Sequence, residues 1–180
     1  MTTNQPFVPL DTNQQDALFA CYRQPARLDE SSGLWIAGES MTFNGTTAVE
    51  LMRRQLVGPG PKRDEATTLK VTDKGKAVLI ELGLIKVEYV IRAIGFASPG
   101  SQCPHAGQWL LAFDFDAHGG KGFGQFTRDK MQAKRFPDLL AAFNFWRTTS
   151  AVRPMRGDGN PNRPLTCLTV QADPIYSDKP

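Results

Sequence analysis

The chain has 180 residues, 41% of them apolar, and a formal net charge of +3, with 21 basic residues nearly balanced by 18 acidic ones. That length accommodates one ordinary domain or two small ones with a real core, and the composition excludes a wholly disordered chain. The near balance of charge excludes a histone-like coat for polyanions, so any nucleic-acid contact has to come from a local patch. Three widely spaced cysteines, Cys21, Cys103 and Cys167, do not suit a secreted disulfide framework, and the start MTTNQPFVPL lacks the regions of a signal peptide. No run approaches the ~18 apolar residues of a spanning helix. The expectation is a soluble cytoplasmic protein with no membrane association, no metal and no cofactor.

Residues 1–9 are polar with two prolines and read as a flexible terminus. Asp11 or Thr12 can cap a first helix, with Gln15 completing a Thr-x-x-Gln box, and Ala17, Leu18, Cys21 and Tyr22 give it an apolar face up to the break at Pro25. The next piece, ARLDESSGLWIAGES, is turn-rich around Leu34, Trp35 and Ile36, with Trp35 as a core plug. Thr47 followed by Glu50 spells a capping box for a short helix. Val49, Met52 and Leu56 would be its apolar face, leaving Thr47, Glu50, Arg53 and Arg54 on a polar, basic one. A Gly-Pro-Gly-Pro turn carrying Lys62 and Arg63 follows, then a β-rich run from Thr67 to Val71. Thr72 caps a further helix that ends at Gly83, a residue suited to a left-handed position after a helix.

Beyond Leu84 the pattern changes to KVEYVIRAIGF, rich in β-branched and aromatic residues, which reads as a strand. The Pro, Gly and Ser of ASPGSQCPHAG mark a loop. Gln108 to Phe115 alternates, with Trp109, Leu111, Phe113 and Phe115 on one face, and Phe123 to Thr127 returns beside it as a hairpin. Thr127 can cap a short helical piece, RDKMQAKRF. Pro137 can open a longer helix whose Leu139, Phe143 and Trp146 stripe should cover the sheet. Prolines at 154, 161 and 164 make Val152 to Pro164 a loop, and Leu165 to Ala172 alternates as a last strand. The domain reading is 10–84, 85–176 and a tail 177–180.

A helix, a basic hairpin and a capped helix form the second half of a winged helix-turn-helix. With its threonine-rich helix start, short leucine-valine strand and closing VTDKGKAVL, the stretch from Leu10 to Leu84 resembles the MarR-like winged-helix family. That resemblance implies that the helix from Thr46 or Thr47 lies in the DNA major groove, with Thr47, Arg53 and Arg54 facing bases or backbone, and that Lys62 and Arg63 on the wing touch phosphate. Glu50 departs from such a surface, since it repels phosphate unless it accepts from a cytosine amino group. In the second half, GQWLLAFDFDAHGGKG, FNFWRTTS and DGNPNRPLT resemble segments of uncharacterised phage and prophage proteins, which implies a mobile-element setting and no particular chemistry. The fold class expected is α+β, a winged helix followed by a small antiparallel sheet under one main helix. The function expected is a phage or mobile-element protein that binds double-stranded DNA and carries a C-terminal interaction domain, with homodimerisation as a further contact. The alternative is a phage-encoded inhibitor that binds a host protein or defence complex.

Other constellations are weaker. Asp114, Asp116 and His118 alternate and would share one side of a strand, where they could hold a divalent metal, but no second acid cluster completes a ligand set. The glycines of HGGKGFG do not have the P-loop spacing, and Cys103 with His105 lacks the partner pair of a zinc site. Arg147, Arg153, Arg156 and Arg163 could form a cationic rim for an anion or an acidic partner. No Ser-His-acid set or carboxylate pair emerges, so no enzyme is expected.

Overall fold

The computed structural model describes residues 9–39, 41–60, 67–98 and 100–178. Among the described residues the fold is α+β, with two antiparallel sheets of five and four strands and five helices, of which the fourth, α4 (Ala117–Gly120), is a single short turn. The chain forms two compact units, one of Met1–Lys86 with Asp178–Pro180, the other of Val87–Ser177. Among the described residues no helix is long and apolar enough to cross a membrane.

In the first unit, α1 (Thr12–Arg23) starts at Asp11, whose side chain accepts from the Gln14 amide while the Gln14 side chain answers the Asp11 amide. The box is therefore closed by Gln14, and the expected partner Gln15 bonds the Leu10 carbonyl instead. Ala17, Leu18 and Cys21 are buried, as the apolar spacing requires. Burial pushes the Cys21 thiol up to about 12, which leaves it a packing group at neutral pH. The stretch expected to be turn-rich around Leu34, Trp35 and Ile36 instead holds β1 (Ala26–Asp29) and β2 (Leu34–Ala37), and β3 (Met41–Phe43) follows it to complete a meander. Trp35 is 7% exposed and lies opposite Phe43, ring on ring at 6.5 Å.

α2 (Gly45–Arg53) follows β3 directly, so a strand precedes it where a helix-turn-helix would have a helix. After it come β4 (Val57–Pro59), β5 (Thr68–Val71) and α3 (Asp73–Glu81), and the sheet order is β3-β2-β1-β5-β4. Thr72 caps α3 by accepting from the Gly75 amide, and Gly83 (φ +72°) ends it as expected, with the Leu84 amide reaching back to the Leu79 carbonyl. Gly75 is the closest approach in this unit. A Cβ there would overlap the Leu56 carbonyl oxygen and the Val71 side chain.

The second unit is built on β6 (Ile85–Phe96), β7 (Trp109–Asp114), β8 (Phe123–Thr127) and β9 (Leu168–Asp178), in the order β8-β7-β6-β9. Asp173 on β9 pins three strands together. It pairs with Arg92 of β6 at 2.9 Å and accepts from the Trp109 indole of β7 at 3.0 Å. A bulge between Leu110 and Ala112 breaks the expected alternation of β7, so Leu110 is fully buried and Leu111 is turned out. Thr127 does not cap a helix over RDKMQAKRF. Its hydroxyl accepts from the Asp129 amide, Asp129 caps a short 3-10 turn (Lys130–Gln132), and the chain then runs extended so that Phe136 bridges Tyr89. The last strand starts at Leu168 rather than Leu165, because Pro164 opens a second 3-10 turn, Pro164–Cys167.

Replacing Gly75 with alanine should destabilise the protein by about 1–3 kcal/mol, because neither the Leu56 backbone nor the packed Val71 can yield without disturbing α3. The shift in urea midpoint between the two proteins measures it.

Candidate functional site

Two places gather side chains beyond the needs of folding, one in each unit. The first is α2. Its cap is Asn44, whose side chain accepts from the Thr47 amide at 2.8 Å, so the expected Thr47–Glu50 box does not form. The helix starts earlier than expected and its phase differs accordingly. Ala48 and Leu51 are buried, Leu56 is buried beyond the helix end, and Val49 and Met52 are turned outward.

Released from the cap, Glu50 takes both arginines. Its carboxylate accepts from Arg53 Nε and Nη2, each at 2.9 Å, and from Arg54 Nε at 2.7 Å. These are the i,i+3 and i,i+4 pairs that helical spacing permits. The Arg53 bonds, and then the Arg54 bond, hold the Glu50 carboxyl down to about 2, and the same contact raises Arg53. Arg53 keeps its side chain 73% exposed, whereas Arg54 is 22% exposed. Of the five residues expected at a DNA surface, Thr47, Arg53 and Arg54 lie on or at the end of α2, and Lys62 and Arg63 lie outside the described residues. Residues 1–86 carry ten basic and ten acidic side chains, so no broad positive field backs this helix.

In the second unit the expected acid cluster is put to another use. Asp114 ends β7 and accepts from the amides of Asp116 and Ala117. One Asp116 oxygen accepts from the Ser150 hydroxyl and from the Ala151 and Val152 amides, which holds its carboxyl below its usual value and anchors the loop after Ser150. His118 has left-handed backbone and sits edge-on to Phe123. The three residues thus leave the strand at Asp114 and do not share a face. Among the described residues no group of three or more His, Cys, Asp and Glu could hold a metal ion. Nor do the four arginines share a partner. Arg147 stacks over Phe143 at 5.2 Å, Arg156 pairs with Asp158 in its own turn, Arg153 is exposed and Arg163 is half-buried.

The second place is the helix α5 (Leu139–Trp146), whose sequence is LLAAFNFW. Asp138 caps it by accepting from the Ala141 amide at 2.7 Å. Ala142 is buried, and Ala141, Phe145 and Trp146 pack beside it on the core of Ile91, Leu110, Leu165 and Leu168. The expected stripe therefore covers the sheet only in part. Leu139, Leu140 and Phe143 are 53%, 66% and 46% exposed. Alongside them runs a groove of about 680 Å³ whose other wall is β9, through Leu168, Val170 and Ala172. The Trp146 indole, donating to the Leu168 carbonyl at 3.3 Å, ties helix to strand at one end. One sign of this groove was legible in LLAAFNFW, a helix whose seven apolar residues out of eight exceed what one buried face can use. Comparison with protein-family models, with curated proteins and with solved structures finds no match.

The Glu50 pairs have a defined pH signature. Since the folded-state value is depressed from 4.5 to about 2, the stability they add is complete above the ordinary glutamate range and is lost as pH falls toward 2. The stability difference between the native chain and Glu50→Gln should be constant from pH 7 to about 5 and shrink below that, as followed by urea denaturation at each pH.

Proposed function

We propose that this chain acts by binding another protein chain rather than by catalysis, and that the groove between α5 and β9 is where it does so. The observation that carries this reading is the exposure of Leu139, Leu140 and Phe143 side by side on one helix, next to an open apolar groove. Scattered surface leucines are ordinary, but adjoining large apolar side chains beside a cleft mark contact sites. The likeness of the second half to phage and prophage segments supports a mobile-element setting. The expected fold detail, a winged helix, is supported by the order α2, hairpin, α3, and opposed by the strand in front of α2.

An apolar dye such as 1,8-ANS, titrated into dilute protein, should bind with enhanced fluorescence, and Leu139→Ser with Leu140→Ser should remove about half of the signal or more. Unchanged dye binding in that variant would mean that the groove is not an accessible apolar site.

Duplex DNA is the second reading, favoured by the exposure of Arg53 on a helix that leads into a hairpin whose connection carries Lys62 and Arg63. Here Glu50 is the opposing group, because it holds both α2 guanidinium groups. Glu50→Gln should tighten duplex binding by about tenfold at low salt, with a steeper salt dependence, while Arg53→Ala should weaken it. Equal mobility-shift affinities for all three proteins would contradict DNA recognition by α2.

A further inference from the structure

Two of the three cysteines belong to the second unit, and the fold brings them to one corner of it. The loop from Ala97 to Gly107 is tied down at both ends, the Ala97 amide donating to the Cys167 carbonyl at 2.8 Å and the Gly107 amide to the Ala93 carbonyl at 2.8 Å. Among the described residues of this loop all are exposed except Cys103 and His105, which turn inward. The His105 ring stacks on Phe126 at 4.3 Å and so lays the loop down on the sheet. Cys103 packs against the core that contains Leu165 and Leu168, the residues on either side of the Thr166–Cys167 pair that ends the second 3-10 turn.

The two thiols are close enough to interact. Burial first, and then the charge of Cys103, push the Cys167 thiol up from its ordinary value. Cys167 is nevertheless exposed as a residue, while Cys103 is half-buried, so one sulfur meets solvent and the other stands behind it. Cys21 belongs to the first unit, is buried there, and keeps its proton at neutral pH. A disulfide needs Cα atoms about 4.4–6.8 Å apart. The loop carrying Cys103 is exposed along most of its length, so it can adjust to that span without unmaking the core.

We infer that Cys103 and Cys167 form a reversible dithiol–disulfide pair, oxidised by a small disulfide such as oxidised glutathione. The Cys167 thiolate attacks one sulfur of the oxidant, forming a mixed disulfide and expelling one glutathione thiolate. The Cys103 thiolate then attacks the Cys167 sulfur, the protein S–S bond forms, and the second glutathione leaves. Two cysteine thiols are oxidised and one oxidant disulfide is reduced to two thiols, with the protons of the cysteines passing to the departing glutathiones. A raised Cys167 thiol supplies little thiolate at neutral pH, so the first step is slow there and quickens in mild alkali. The pair stands independently of the contact site proposed for α5.

The full chain incubated with excess oxidised glutathione at mildly alkaline pH tests it, read by thiol titration in denaturant and by peptide mass mapping. The native protein should pass from three titratable thiols to one, Cys21, with Cys103 and Cys167 recovered in one cross-linked peptide pair, and dithiothreitol should restore all three. Folding supplies the local concentration of one thiol at the other, so the bridge should form about tenfold or more faster in the native protein than in the urea-unfolded chain. Cys103→Ser, shown by circular dichroism to be folded, should stop at the first step with glutathione retained on Cys167. A native chain that keeps three thiols overturns the pair. So does one that holds glutathione on Cys167 without closing the bridge, one whose bridge runs to Cys21, or one that closes it no faster than the unfolded chain.

Discussion

A helix can turn only one face into a core, and α5 is apolar on more than one. Ala142 and Phe145 meet the sheet of the second unit, while Leu139, Leu140 and Phe143 face outward with at least 46% of their surface in contact with water. Removing apolar area from water stabilises by roughly 25 cal/mol per Å², so three such side chains left open represent a free-energy gain that folding of one chain does not collect. The proposed function follows from that surplus.

The second unit can hold such a helix in place because its sheet is fixed by more than apolar packing. Asp173 joins Arg92 and Trp109 across β9, β6 and β7, a polar anchor whose partners come from three strands. Asp116 does the same for the loop that follows α5, gathering Ser150, Ala151 and Val152 on one oxygen. Carboxylates that suggested a metal site are thus spent on backbone and hydroxyl donors. The first unit shows the same economy of charge, since Glu50 draws Arg53 and Arg54 into one local cluster with a net charge of +1 rather than leaving two free cations.

Much of the architecture could be read from the chain alone where a local signal was unambiguous. Thr72 before α3 and Gly83 after it have one physical use each, and the β-branched run of β6 has no helical alternative. The α+β class and a long loop around Pro154 and Pro161 followed from the same kind of evidence. The phase of α2 did not, because Val49, Met52 and Leu56 match the helical period as well as Ala48 and Leu51 do, and only packing decides between them. Strands β1 to β3 hold three or four residues each, too few for alternation to stand out from turn residues. The groove was hidden for a related reason. In LLAAFNFW nearly every position is apolar, so spacing identifies a helix and says nothing about which side the sheet will take. The i,i+3 and i,i+4 pairing of Glu50 with the two arginines was visible in the spacing, but the same glutamate also fits a capping box, and Asn44 lies far enough upstream to take the cap instead.

Whether the outer face of α5 stands open as a contact site can be read side chain by side chain, by hydroxyl-radical footprinting of dilute native protein with and without saturating 1,8-ANS. Oxidation of Leu140 and Phe143 should fall when the dye is bound, while that of the comparably exposed Phe123 and Met131 should not. Labelling of α5 that the dye leaves unchanged would mean that this face is no accessible apolar site.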